Sequence, residues 1–493
     1  MSRDLVAGVR KTPEGVVAGM TSLVNWRAPA LSLLLILAGG CTEDTVGNGF
    51  GPSEDVGPNE NDAVGNADTS PDAEGPLCWP TRRGSPAANG TTSCTPDANR
   101  LAQVRQIPGI EPAYLGFARV DASGTLYALT ENEMESDSSL YKYEPGAESA
   151  EIIQEFNGAW LPVGPRPGDM GLDPQGRIWL AEYRGDFSDP SGLRLAGYTA
   201  DGSLYHSKKL DFSGSLEGNP LRFHLYEESL QAHLRFAISQ RKVWKIAGRK
   251  VSELASLDQT LGNVCSNGGR NFHLGLVFDT SPQIKPEMVI RDRRDPSKVL
   301  QKVPLDGFEF GGGGPLSASG EKPRCAVVDD QLIFASGRGS QDSSRSICIA
   351  PLSNLNKVSC HSTPMESFSP LSVGHYGILY PPNIRFDPEN AQSSKSYEGL
   401  EETRLRELIV SSRGTDTVFR TQGQWIYGVT PNLETLYAAN TGRDEARPAE
   451  IDISSLGLQD VQFVLPAPNR VYIVDFQSDG DSFNLPVYEV TAE

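Results

Sequence analysis

Leu172–Tyr183 reads LDPQGRIWLAEY, and Val120–Glu131, about 52 residues earlier, reads VDASGTLYALTE. Each has an apolar residue, an aspartate, a short turn containing glycine, and then a run of aromatic and branched residues. Asp121 and Asp173 are placed to accept hydrogen bonds from turn amides, and Gly124 and Gly176 to supply a positive φ. Leu126, Tyr127, Ile178 and Trp179 then fill a strand. The spacing is too long for a repeated hairpin and suits one blade of a propeller.

Weaker copies follow along the chain. They are FAISQRKVWKI from Phe236, CAVVDDQLIFAS from Cys325, VTPNLETLYAANTGRD from Val429 and APNRVYIVDF from Ala467. FDPENAQSS from Phe386 and RELIVSSRGTDTVFRT from Arg406 read as one blade split by a polar insertion. GYTADGSLY from Gly197 reads as an outer hairpin of the second blade, and only Leu400–Arg406 has a helical pattern. Short strands at regular turn spacing predict an all-β fold. The expectation is a β-propeller over 101–493 with six to eight blades, seven favoured; a pair of β-sandwiches is the alternative.

LDPQGRIWLAE, Leu172–Glu182, resembles the blade phrase of NHL-repeat and regucalcin/gluconolactonase-type propellers. LYAANTGRD, Leu436–Asp444, is similar to that of YVTN-type surface propellers. The resemblance covers single blades and implies fold more than function. Gluconolactonase-like enzymes hold a metal in the central channel with acid and amide side chains. On that likeness Glu131, Glu182 and Asn440 are candidate ligands for a divalent cation such as calcium, which prefers oxygen donors. The alternative is that they are strand-end polar residues capping loops.

The N-terminus sets the expected location. The apolar run Ala28–Gly40 follows Arg27 and is too short to span a membrane, so it fits the core of an export signal. Leu37-Ala38-Gly39-Gly40-Cys41 resembles the bacterial lipobox, in which the cysteine is lipidated and becomes the new N-terminus. Ala38 stands where leucine is commoner, and Met20 is a candidate start. Residues 1–40 are therefore expected to be a lipoprotein signal peptide, and Cys41 the site of palmitate and diacyl attachment. An ordinary signal cleaved nearby, or a buried apolar strand, is the alternative. Several acyl chains anchor firmly where one is marginal. Thr42 rather than aspartate follows Cys41, which by the lipoprotein pattern implies the outer membrane, with the body in the periplasm or on the cell surface. Residues 41–76 hold many Gly, Asn, Pro, Asp and Glu and no Lys or Arg, the composition of a disordered acidic tether.

The formal net charge of -19 argues against nucleic acid as a partner. Of seven cysteines, six remain once Cys41 is set aside, an even number that reads as disulfides in an exported chain. Proximity favours Cys78–Cys94, closing a small loop within 77–100, and Cys348–Cys360 across two strands and a turn; Cys265–Cys325 is left by elimination. No CxxC, HExxH or GxSxG occurs, and FEFGGGGP (Phe308–Pro315) lacks the Lys-Ser/Thr of a phosphate loop. The six histidines are scattered, with His224 and His233 nine apart, and read as satisfied or solvent-facing. RDRRDPSK (Arg291–Lys298) reads as a solvated hairpin tip, and SDGDSFN (Ser478–Asn484) as a turn joining the last strands.

Two functions follow as expectations. The first is a lipid-anchored envelope propeller that binds a protein or glycan partner through its loops, with no catalytic residues assigned. The second is a metal-dependent, lactonase-like hydrolase acting on a small molecule in the channel.

Overall fold

The computed structural model describes Cys78, Cys94 and most of residues 96–492; the longest stretches outside the described residues are 1–77, 79–93, 305–324 and 396–419. The signal peptide, Cys41, the tether, FEFGGGGP and the Leu400–Arg406 helix therefore lie outside them. What is described is all-β, with strands and two short 3-10 turns.

Among the described residues the strands make eight antiparallel sheets of four or five strands, the blades, and one two-stranded hairpin. Blade 1 is Tyr114–Val120, Leu126–Glu131, Ser138–Tyr143 and Glu151–Phe156. Blade 2 is Met170–Leu172, Ile178–Gly185, Pro190–Tyr198 and Leu204–Leu210, with Leu161–Pro162 also on its second strand. Blade 3 is Leu221–Tyr226, Ser229–Ala237, Gln240–Ala247 and Lys250–Asp258. Blade 4 is Val264–Ser266, Asn271–Val277, Lys285–Arg291 and Val299–Pro304. Blade 5 is Cys325–Val328, Gln331–Ser336, Arg345–Pro351 and Ser359–Thr363. Blade 6 is Ser372–Gly374, Gly377–Tyr380, Ile384–Asp387 and Gln392–Lys395. Blade 7 is Arg420–Gln422, Trp425–Val429, Thr435–Asn440 and Ala449–Asp452. Blade 8 takes Val461–Ala467, Arg470–Asp475 and Val487–Ala492 from the C-terminus and its outermost strand, Leu101–Gln106, from the N-terminal side. First strands of consecutive blades touch from blade 8 through 1 and 2 to 3, and from blade 4 through 5, 6 and 7 to 8. The fold is a β-propeller.

Eight sheets stand at the top of the expected range and exceed the favoured seven by one. The difference arises at the supposed split blade. Ile384–Asp387 and Gln392–Lys395 are the outer pair of blade 6, and Arg420–Gln422 opens blade 7. The described parts of the two phrases thus belong to consecutive sheets. In blade 7 the phrase sits one hairpin later, between second and third strands, with Leu433 at φ 59 turning the chain.

The repeated phrase works as its residues dictate. Asp121 accepts from the amides of Ser123 and Thr125, both at 2.9 Å, and Gly124 has φ 88. Asp173 accepts from the amides of Gln175 (3.1 Å) and Arg177 (3.0 Å), and Gly176 has φ 74. Asp173 goes further: its Oδ2 takes Arg177 Nε at 2.7 Å and the buried Trp179 indole N–H at 3.0 Å. Asp173→Ala is therefore expected to lower stability by about 2–3 kcal/mol, because it strands a buried donor and breaks a charged pair. A urea titration followed by tryptophan emission measures this; a midpoint equal to wild type would refute it.

Packing is between blades. Phe117, Leu172, Trp179, Leu195, Phe223 and Trp244 belong to one core shared by blades 1, 2 and 3. Gly197 lets the Trp179 indole lie flat on the third strand, since a Cβ there would stand 2.7 Å from the ring. Tyr427, Val461, Ile473 and Val490 join blades 7 and 8, with Ala98 and Leu101 inserted. Cys78 and Cys94 form a disulfide, Cα atoms 5.1 Å apart, and pack with Val120, Tyr141, Leu465 and Tyr472 of blades 1 and 8. The Tyr427 hydroxyl donates to the buried Pro96 carbonyl at 2.6 Å. The segment before the closing strand is thereby fastened to the ring.

The two hairpin readings hold their places. Arg291–Lys298 spans the turn between the outer strands of blade 4, where Arg291 Nη1 donates to the Pro296 carbonyl at 3.0 Å. Gln477–Ser478 and Phe483–Asn484 pair as a small hairpin before the last strand.

Candidate functional site

The three candidate metal ligands occupy different positions. Glu131 ends the second strand of blade 1 and Asn440 ends the third strand of blade 7; their side chains lie outside the described residues. Glu182 lies inside the second strand of blade 2, opposite Arg194. Counted from the turn aspartates, Glu182 falls one residue earlier than Glu131. One residue along a strand turns a side chain to the opposite face of the sheet. The residue of blade 1 equivalent to Glu182 is the buried Thr130.

Glu182 is 0% exposed, and both its oxygens are engaged within blade 2. Oε2 accepts from Arg194 Nε and Nη2, each at 2.6 Å, and Oε1 accepts from the Tyr198 hydroxyl. Burial pushes the carboxyl pKa up from its ordinary value, against the pull of Tyr198 and Arg194. Burial and the neighbouring carboxylate also raise Tyr198. The Arg194 guanidinium lies 4.5 Å from the Trp160 ring centroid. Among the described residues no group of three or more His, Cys, Asp and Glu is arranged to hold a metal.

A second polar centre braces the first strands of blades 1, 2 and 3. Asp169, just before the first strand of blade 2, accepts from Arg119 of blade 1 and from the amides of Met170 (2.9 Å) and Phe223 (3.0 Å), the latter in blade 3. Arg119 also donates Nε to the Met170 carbonyl at 2.7 Å and Nη1 to the Ala118 carbonyl at 2.6 Å. Both residues are 1% exposed. Burial pushes the Arg119 pKa down while Asp169 raises it, and the Arg222 charge adds to the lowering. Arg222 Nη1 in turn reaches the Gly168 carbonyl at 3.1 Å.

A third centre lies at the ring closure. Glu489 on the third strand of blade 8 accepts from Arg105 on the closing strand, from Arg470 Nη1 at 2.8 Å, and from the Tyr143 hydroxyl of blade 1 at 2.8 Å. Burial, together with this bond to Glu489, pushes the Tyr143 pKa up to about 12. These two braces escape the sequence because their partners are remote along the chain.

The histidines differ from the sequence expectation in one place. His224 and His233 sit on paired strands of blade 3, diagonal in register, with ring centroids 4.8 Å apart. The hairpin joining these strands brings together what nine intervening steps had separated. Cys348 is disulfide-bonded, and Cys360 stands opposite it in the neighbouring strand of blade 5. Cys265 and Cys325 lie on the first strands of blades 4 and 5, which touch.

No family model matches the chain, and no curated protein matches it. Solved structures do resemble it. The β-propeller domain of the Trilobed protease from Pyrococcus furiosus has 10% identity, with a TM-score of 0.33 over 58% of this chain and 81% of its own. The polysaccharide lyase Uly1 has 11% identity and a TM-score of 0.39, covering 85% of this chain and 97% of its own. A europium-containing methanol dehydrogenase has 8% identity and a TM-score of 0.37, covering 86% and 99%. Likeness at this level says nothing of activity, and the propeller assignment stands on the eight sheets.

Proposed function

We propose that this chain is a lipid-anchored propeller of the cell envelope whose rigid body binds a protein or glycan partner. One observation carries the reading: all five buried carboxylates among the described residues serve the framework. Asp173 holds a turn, Glu182 a blade, Asp169 three blades and Glu489 the closure. Asp475 accepts from the amides of Gln459 (2.9 Å) and Asp460 (2.7 Å). A buried acid that is already hydrogen-bonded stiffens its surroundings. Binding is then left to the loops of a stiff ring.

The anchor in this reading is Cys41, with 41–76 as spacer and the outer membrane as location. The test uses the full chain expressed in a bacterium with an outer membrane. Wild type is expected to incorporate labelled palmitate and to float with outer-membrane vesicles, and Cys41→Ser to lose both. Equal labelling of the two would remove the anchor from the proposal. The lactonase reading predicts a stoichiometric ion and a melting temperature lowered by chelator. The binding reading predicts an unchanged melt, so the same preparation distinguishes them.

A further inference from the structure

A cationic cluster lies on blades 2 and 3, and of its members only Arg177, held by Asp173, serves these braces. The outermost strand of blade 2, Leu204–Leu210, shifts register between Leu204 and His206, and Tyr205 is the extra residue. A bulge of this kind re-aims a side chain. The Tyr205 ring meets two guanidiniums: the Arg177 carbon is 4.4 Å and the Arg249 carbon 5.1 Å from its centroid. One ring thereby holds two cations within about 10 Å of each other.

Arg177 is already tied to Asp173 and serves as the fixed member. Arg249 is exposed and comes from the hairpin joining the outer strands of blade 3. Gly248 turns that hairpin at φ 58, and its Cβ position is 3.9 Å from the Tyr205 hydroxyl. His206 follows Tyr205, and burial with the charges of Arg249 and Lys208 lowers its pKa below the ordinary histidine value. Among the described residues no carboxylate pairs with Arg249, His206 or Lys208. Such a concentration of like charge is notable in a chain of net charge -19.

We propose that Arg249, stacked on Tyr205, and Lys208 on the same strand as that tyrosine form a binding site for an acidic glycan, a polymer bearing carboxylates on its sugar rings, with His206 beside them as a hydrogen-bonding group. Guanidinium forks match carboxylates in a bidentate manner. A protein partner would need a desolvated apolar centre. The one large exposed apolar side chain on this strand is Leu204, which leaves a rim of charge and no such centre. Two exposed cations, Arg249 and Lys208, suit successive carboxylates of a repeating anionic polymer. The proposal rests on the envelope-binding reading and specifies its glycan.

The experiment is affinity electrophoresis of the full chain in detergent through gels containing polygalacturonate, neutral dextran or polyglutamate. Polygalacturonate is expected to retard wild type, dextran to have no effect, and polyglutamate to act much more weakly. Arg249→Gln and Lys208→Gln should each weaken polygalacturonate binding by about tenfold, the loss of one charge-assisted contact. Lys298→Gln, in the exposed hairpin of blade 4, should change nothing. Circular dichroism melts confirm folding, since all three sites are on the surface. Absence of retardation overturns the site. So do equal retardation by polyglutamate, equal weakening by Lys298→Gln, or Arg249→Gln and Lys208→Gln binding as wild type. If polygalacturonate fails while the protein still co-sediments with a purified envelope component, the glycan site falls and the binding reading stands. If both fail, both fall.

Discussion

Asp169→Ala should destabilise the propeller more than Arg119→Met, although both cut the same buried ion pair. Removing one partner of such a pair costs about 3–5 kcal/mol because the other charge stays behind without compensation. The two deletions leave different remainders. Without Asp169, the Arg119 guanidinium keeps only carbonyl acceptors, and the Phe223 amide loses its carboxylate across the blade boundary. Each orphaned buried amide adds about 1–3 kcal/mol. Without Arg119, Asp169 still accepts from two amides, so its charge remains partly compensated. The expected losses are about 5 kcal/mol or more for Asp169→Ala and about 3 for Arg119→Met. The double variant should cost less than the sum, which marks direct coupling. Denaturant titration of the four proteins gives the cycle. Equal losses, or strict additivity, would mean that Asp169 does not join the blades as described.

Glu489→Ala is expected to loosen the closure. It removes a carboxylate that Arg105, Arg470 and Tyr143 share, and these lie on three strands of two blades. Arg470 is the more buried guanidinium, with 15% side-chain exposure against 46% for Arg105. Most of the cost should therefore come from Arg470 and the Tyr143 hydroxyl, with Arg105 partly rescued by water. A loss of about 3 kcal/mol follows from breaking a largely buried pair. Hydrogen exchange is the discriminating measurement. Amides of Leu101–Gln106 and Val487–Ala492 should exchange faster while blade 3 stays protected. Uniform acceleration over all blades would show that Glu489 supports the whole ring rather than its seam.

The turn grammar was legible because it is local. Asp121 and Asp173 bond amides within four residues of themselves, so the residues that specify the turn are the residues quoted. Blade number was less legible. FDPEN reads like a first-strand turn, and nothing in its composition says that it joins the outer pair of blade 6. The face that Glu182 takes was illegible for a related reason: a one-residue offset reverses a strand's face, and a shared phrase does not display it. The Asp169 brace could not be read at all. Its partners Arg119 and Phe223 lie 50 and 54 residues away, brought near only by ring geometry. The cationic cluster draws on separate stretches around Arg177, Tyr205 and Arg249 in the same way, whereas the conspicuous run at Arg291–Lys298 is a hairpin tip.

Leu101 sits opposite Ala492 in the seam of blade 8. A ribosome therefore makes Leu101–Gln106 long before Val487–Ala492, its partner in the seam. Until then Leu101–Gln106 has no mate, and its unpaired edge is open to strands of other chains. Bringing such distant segments together is slow, since the entropy of closing the loop is lost before any seam contact forms. The circle can be completed only once Val487–Ala492 has been made, so a product truncated before that strand is left with an open edge. A cell-free synthesis arrested before Val487 should yield protease-sensitive material, and synthesis and release through Glu493 should make it resistant in a single step.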